Sequence, residues 1–517
     1  MRIEVLDSTL RDGVQGEGVA LSNDDRQRIA DLLAGVGIPL IEAGNPASNP
    51  KELRFFQHNR GSGRLCAFGS TCRKGLNPER DPAVRSLLAS GAETVAIFGK
   101  CWRFHVDEIL RTTPEENLRM IHDTVALFVQ AGRRVIFDGE HFFDGWAQDP
   151  DYALAALNAA ARAGAAVLCL CDTNGGALPE RVRAGTAAAV SAYPGQTVGI
   201  HCHDDMGLAV ACTMAAVEAG ARHVQGTFLG VGERCGNARL STLIPNLQLK
   251  LGYEVIPAAC LGRLTTTARQ LAEVLNLALP GNLPYVGRSA FAHKGGMHVD
   301  AVMKDPRSFE HLPPEAVGNR RRVLIGEVSG RAALLHQLEA ALPGEVDKDS
   351  PEAKRFLEAL KRKEMEGYQY EAAQASLELL LRRVLGQYKP SFAINYFRTI
   401  GEQASQGHQH TATAIISIRV GEREEITAAE GFGPVNALDL ALRRALTVFY
   451  PEVAGMRLTD YKVRVIEGND STAAKVRVLI ESTDGESRWT TVGVSHDIIE
   501  ASLTALTDSI EYRLGGA

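Results

Sequence analysis

Over its first ~250 residues the chain alternates short apolar runs with amphipathic stretches, at a period of roughly 30 residues. The strand-like runs are IEVLDST (3–9), PLIEAG (39–44), RLCAFGS (64–70), TVAIFGK (94–100), RVIFDGEHF (134–142), AVLCLCDTNGG (166–176), TVGIHCHDD (197–205) and HVQGTFLGVGE (223–233). Helix-like stretches such as DDRQRIADLLAGVG and TPEENLRMIHDTVALFVQAG lie between them. In the latter, Thr113 suits an N-cap with proline at the first helical position, and Gly132 suits a C-terminal stop. Eight strand–helix units in this length match a (β/α)8 TIM barrel. A doubly wound open sheet is the alternative. The glycines of RDGVQGEG after the first strand have the wrong spacing for a dinucleotide fingerprint and carry charges where a pyrophosphate would sit. That favours the barrel.

The pattern changes twice further on. Residues 276–388 begin with loop-rich sequence, ALPGNLPYVGRSAFAHKGGMHVDAV (278–302), and continue as helices: RAALLHQLEAAL (331–342), then SPEAKRFLEALKRKEMEGYQYEAAQASLELLLRRVLG. Residues 389–517 hold alternating strands such as HTATAIISIRVG, DYKVRVIEG and AAKVRVLIES, with helices VNALDLALRRALTVFYP and HDIIEASLTALTDSIEYRL. The expected organisation is a barrel over 1–275, a linker region over 276–388 and a small α+β domain over 389–517. A net charge of −6 gives no footprint for nucleic acid or an anionic membrane. No apolar run is long enough to span a bilayer, and MRIEVLD enters a strand with no signal-peptide core. Nine scattered cysteines do not form a disulfide framework, so a cytoplasmic protein with reduced thiols is expected.

In a barrel the C-terminal strand ends share one face, and chemistry sits there. Those ends supply Arg11 and Asp12, Glu42, then Asp138, Glu140 and His141, then Asp172, Thr173 and Asn174, then His201, His203, Asp204 and Asp205. Residues i and i+2 of a strand face the same way, so His201 and His203 point together and Cys202 points away. Two imidazoles with Asp12 nearby suit a borderline or hard divalent ion. Cys169 and Cys171 also share a face, but their apolar neighbours read as core. Phe98 and Phe104 either narrow the pocket at these strand ends or belong to the core, and core is the favoured reading. The glycine-rich GVGERCGNA (230–238) is open to a phosphate or coenzyme A role.

DSTLRDGVQGEG, HCHDDMGLAVA and GVGERCGNA, in this order on successive strand ends, resemble the metal-dependent Claisen-condensing enzymes that include isopropylmalate, homocitrate and citramalate synthases. AFGSTCRKG, TTPEENLRMIHD, FDGEHFFDG, LCDTNGG, FAHKGGMHV and ITAAEGFGPVNALDLALRRAL are similar to the citramalate synthase branch, and the resemblance runs over essentially the whole chain. It implies condensation of acetyl-CoA with a 2-oxo acid, pyruvate in this branch, giving (R)-citramalate on the route to isoleucine. It implies a divalent metal (Mg, Mn or Zn) held by Asp12, His201 and His203, with Asn237 as a weak or water-mediated contact. Arg11 would stabilise the developing oxyanion, and Gln15, His105 and Thr173 would contact substrate. Gly230, Gly232, Glu233 and Gly236 would form the acetyl-CoA loop. Glu140 and His298 are the two candidates for the base. The resemblance further implies a homodimer in which the linker reaches the partner's active site, and an α+β regulatory domain that binds isoleucine. A synthase for another 2-oxo acid, or a lyase on the same barrel, is the alternative. The chain departs from the pattern at Phe309, where some relatives carry an assisting tyrosine, and at Arg239, where an acidic residue is usual.

Overall fold

The computed structural model describes residues 1–59, 61–324, 350–402, 411–466, 474–485 and 487–515. Eight parallel strands close a barrel in sequential order: β1 (Glu4–Asp7), β2 (Leu40–Glu42), β3 (Leu65–Ser70), β4 (Thr94–Lys100), β5 (Arg134–Glu140), β6 (Val167–Asp172), β7 (Thr197–Cys202) and β8 (His223–Gly226). Closure is made by β1 on β8, with Glu4 opposite His223 and Asp7 opposite Gly226. The strands are buried on both faces, which is why they read as apolar runs rather than alternating ones. On β6, Val167, Cys169 and Cys171 fill the barrel interior with Leu6, Leu40, Cys66, Ala96 and Ile136. Leu168 and Leu170 face outward into the layer shared with the helices.

Local signals set the element ends. Thr113 Oγ1 accepts from the Glu116 N–H, Pro114 opens the helix Pro114–Gln130, and Gly132 follows it at φ +73°. The strand expected over 3–9 stops at Asp7 because the chain turns: the N–H groups of Arg11, Asp12 and Gly13 all converge on the Ser8 carbonyl. The strand expected over 223–233 stops at Gly226. A Cβ there would lie 2.3 Å from the Ala238 carbonyl oxygen, so the returning 230s loop packs directly against it.

The barrel belongs to a compact unit of Met1–Phe291 with Leu312–Arg321. The second unit comprises Ala292–His311 and Arg322–Ala517. Within the second, β9 (Ala292–His293) pairs in parallel with β10 (Arg322–Val323). Helices Pro351–Met365 and Gln374–Val384 share a core with Val299 and Val323. The helix expected over 331–342 lies outside the described residues. Two antiparallel sheets follow, β11 (Ala393–Glu402), β12 (Thr411–Val420) and β13 (Arg423–Gly431), then β14 (Arg457–Val465), β15 (Val476–Thr483) and β16 (Arg488–Ser495). Each sheet is followed by a helix, Pro434–Thr447 and Ile498–Leu514. This βββα pattern, made twice, is the expected α+β domain. All nine cysteines are unpaired. Among the described residues no helix is long and apolar enough to cross a membrane.

Candidate metal centre and active site

The turn after β1 delivers Asp12 to the mouth of the barrel. Its Oδ2 lies 2.9 Å from Arg11 Nη1, 3.5 Å from His201 Nε2 and 3.8 Å from His203 Nε2. His201 ends in this position because it is an inward residue of β7. His203 follows the strand and is fixed by a backbone bridge to Asn237. Asn237 Nδ2 lies 3.3 Å from Asp12 Oδ2 and 3.2 Å from His201 Nε2. All four side chains are buried. Burial works against the charged Asp12, yet Arg11 and then His201 hold its carboxyl well below the usual range. Burial and the facing His201 lower His203 to about 4, so its ring is neutral at physiological pH. Burial also opposes a charge on His201, but its contact with Asp12 outweighs this and raises it.

These residues fit a divalent metal. One donor atom from each of Asp12, His201 and His203 lies within 4.8 Å of the other two. Asp12 Oδ1, Asn237 Oδ1 and His203 Nδ1 are buried with no hydrogen-bond partner. Buried orphan oxygens are costly unless something positive meets them. Gly232 makes room for them: a Cβ there would come within 2.1 Å of Asn237 Oδ1 and 3.3 Å of Asp12 Oδ1. Two nitrogens with carboxylate and amide oxygens are a donor set for a borderline divalent ion. A second cluster, Asp138 with Cys169 and Cys171, lies in the barrel interior. Burial pushes the Cys169 thiol well up, so it stays protonated and packs as core, as its sequence context suggests.

Arg11 is clamped. Its Nε donates to Glu42 Oε2 at 2.7 Å and its Nη1 to Asp12, while Ser8 Oγ donates to the same Glu42 oxygen at 2.5 Å. Its guanidinium lies 4.0 Å from the Phe68 ring centre, and Phe68 stacks on Phe98 at 5.2 Å. Nη2 makes no hydrogen bond to the described residues and remains available as a donor.

The comparisons with known proteins bear on a site of this composition. Residues 2–270 match the HMGL-like family, 285–365 a homocitrate synthase post-HMGL domain-like family, and 371–514 the LeuA allosteric (dimerisation) domain. The chain is 48% identical to an (R)-citramalate synthase of Aquifex aeolicus, covering 99% of this chain and 98% of that one. It is 47% identical to one of Synechocystis sp., covering 98% and 95%, and 44% identical to one of Geobacter sulfurreducens, covering 99% and 97%. The chain belongs to the HMGL-like family, in its (R)-citramalate synthase branch.

Around the metal residues of this citramalate synthase relative, the other expected side chains fall in distinct places. Glu140 ends β5 and pairs with Lys100 at the end of β4. His105 packs against Trp102 and lies 4.1 Å from the His141 ring, with its Nδ1 buried and without a partner. Burial and His141 lower His105 to about 4. Thr173 Oγ1 accepts from the His141 N–H at 2.8 Å, and the Thr173 carbonyl accepts from Arg234, which also pairs with Asp205. Gln15 is exposed on the turn after Asp12. Gly230 and Gly236 adopt positive φ, and Asn237 N–H donates to the Gly230 carbonyl. Gly232 lies against the metal residues, while Glu233 is exposed. His298 lies in the second unit, exposed on the helix Gly296–Lys304 and stacked on Phe309 at 4.1 Å. Asp172 closes the turn after β6 by accepting from Gly176 and Ala177.

Two readings need correction or addition. Phe104 is not core; it is 45% exposed. Phe98 is half-buried, stacked at the mouth beside Arg11 rather than in the apolar layer around the barrel. Sequence reasoning missed Lys100, Ser8 and Gln225. Gln225 Oε1 accepts from His201 Nδ1 at 2.9 Å, and its Nε2 donates to Asp138 Oδ1 at 2.9 Å. Its signal was available, since it is two residues after His223 and so shares the inward face of β8. Arg239 donates to the Leu229 carbonyl and is partly buried, so it braces the glycine loop.

Proposed function

We propose that the chain condenses acetyl-CoA with pyruvate and water to give (R)-citramalate and CoA. The observation that carries this is the buried Asp12–His201–His203 cluster, with half-buried Arg11 against it, at the mouth of a barrel whose full-length relatives are named for that reaction. Asp12, His201 and His203, with Asn237 alongside, would hold a divalent ion, which would polarise the ketone as a Lewis acid. Arg11 is fixed by Glu42 and Asp12 and offers Nη2 to the oxyanion formed on attack. Thr173 and Gln15 meet the oxo-acid carboxylate, and His105 lines the same pocket. The acetyl methyl is a weak acid and needs a base. Glu140, beside Lys100, and His298 are the two candidates for that proton. The stacked Phe68 and Phe98 rings narrow the mouth, which suits the small methyl of pyruvate. The 230–236 loop takes acetyl-CoA.

Residues 1–275 form the catalytic barrel, 276–388 the linker and 389–517 the regulatory domain, in a homodimeric cytoplasmic enzyme. The metal is Mg, Mn or Zn. Thiol release from acetyl-CoA, measured with a divalent metal against glyoxylate, pyruvate, 2-oxobutyrate, 2-oxoisovalerate and 2-oxoglutarate, is fastest with pyruvate by at least about tenfold, as expected where each added methylene is worth roughly 1–3 kcal/mol. Preference for another acid moves the protein to a related synthase, and no release with any of them removes the assignment. The match of 371–514 to an allosteric domain supports an effector, for which the family resemblance gives isoleucine. Isoleucine then inhibits the full chain and raises its melting temperature, while lysine does neither; an unchanged melt and an unchanged rate remove that effector.

A further inference from the structure

His201 ligates a metal in only one of its two neutral tautomers. Its Nε2 faces Asp12, so the lone pair must sit on Nε2 and the proton on Nδ1. Nδ1 lies 2.9 Å from Gln225 Oε1. An amide has two ends, however. Turned over, Gln225 would present an N–H to Nδ1 and drive the imidazole proton onto Nε2, where it would block the metal.

What holds the other end of Gln225 therefore decides the matter. Gln225 Nε2 lies 2.9 Å from Asp138 Oδ1 and 3.4 Å from His223 Nε2. Burial raises the Asp138 carboxyl, but near pH 8 it is ionised, and an ionised carboxylate only accepts. His223 places its Nδ1 2.9 Å from Glu4 Oε2, which also accepts from Arg134, so the His223 proton sits on Nδ1 and its Nε2 is an acceptor too. Both neighbours of Gln225 Nε2 thus take a hydrogen, and neither tolerates the carbonyl oxygen in its place. Gln225 and His223 are 0% exposed and Asp138 4%, so water cannot substitute. We infer that Gln225 is a positioning residue that sets the His201 tautomer for metal binding, and that Asp138 and His223 lock its amide in the required sense.

This rests on the metal reading of Asp12, His201 and His203, and the test separates the two. The dissociation constant for Mn2+ is measured on the metal-stripped full chain by chelator competition, with the melting temperature of the metal-free protein alongside. Gln225→Met keeps the volume and removes both hydrogen bonds; it weakens Mn2+ about 10–100-fold, the range for losing an outer partner of a ligating histidine. Gln225→Glu, which must carry a proton on the oxygen facing Asp138 and His223, still accepts from His201 Nδ1 through its other oxygen and retains affinity within about threefold, a rescue that packing alone would not give. Gln225→Asn keeps an amide but falls short of His201, and it weakens Mn2+ like Gln225→Met even if the latter does not fold. Affinity within twofold of the parent in Gln225→Met or Gln225→Asn overturns the tautomer role, as does equal loss in Gln225→Glu. A parent that binds no Mn2+, Mg2+ or Zn2+ overturns the metal reading itself and the tautomer role with it.

Discussion

His201→Ala abolishes CoA release and metal binding together while the barrel remains folded. Its loss removes one of the three donor groups of the cluster. Asn237 Nδ2 already faces the same position, and an amide N–H cannot ligate. Losing an inner ligand costs more than the ~10–100-fold typical of an outer partner, so metal affinity falls by more than about a hundredfold. Turnover falls by at least about a thousandfold, because both the polarised ketone and the charge balance around Asp12 are lost. The stability cost is smaller. It comprises a cavity and a buried Gln225 oxygen without its partner, the latter worth about 1–3 kcal/mol, against the 5–15 kcal/mol typical of folded domains. Circular dichroism and the metal-free melt report the fold, metal content after dialysis reports the site, and thiol release reports turnover. A variant that keeps its metal and its rate would remove His201 from the centre.

Much of this site was legible because its information is local. Period-2 alternation places His201 and His203 on one side, and a strand end places them at the mouth. Asp12 was legible as a carboxylate beside Arg11 at the end of the first strand. What the sequence did not disclose depends on register between strands. Arg11 meets Glu42 because β1 pairs with β2 through Leu6 opposite Leu40 and Asp7 opposite Ile41. His201 meets Gln225 because β7 pairs with β8 at those two residues. Pairing across distant segments leaves no periodic trace in either one, so alternation can put Gln225 on the inward face of β8 but not opposite His201, and Lys100 looks like an ordinary polar residue until the barrel closes. Phe104 failed for a related reason. An aromatic next to a strand end looks like core, but the chain leaves the barrel wall after Lys100, and the ring emerges at the surface.

Arg11→Gln gives the second large loss, and it differs in kind from the first. Removing one donor aimed at a developing oxyanion lowers kcat by about 100–1,000-fold. Arg11 does a second job, in which it contributes more than His201. It holds the Asp12 carboxyl well below its usual range against the opposing effect of burial. Without the guanidinium that carboxyl titrates at higher pH, since burial still favours its neutral form. Metal binding needs the carboxylate, so protons compete with metal at a higher pH in the variant than in the parent. Mn2+ affinity measured from pH 8 downward therefore fails earlier in Arg11→Gln, while near pH 8 the two proteins bind comparably. Arg11→Lys separates the two jobs. An ammonium keeps the charge beside Asp12 and restores the acid limb, but it lacks the planar fork that reaches Glu42 and Asp12 together, so kcat stays low. An Arg11→Gln variant with parental kcat would remove Arg11 from the oxyanion. A parental kcat in Arg11→Lys would show that charge alone suffices and that the clamp from Glu42 serves stability rather than catalysis.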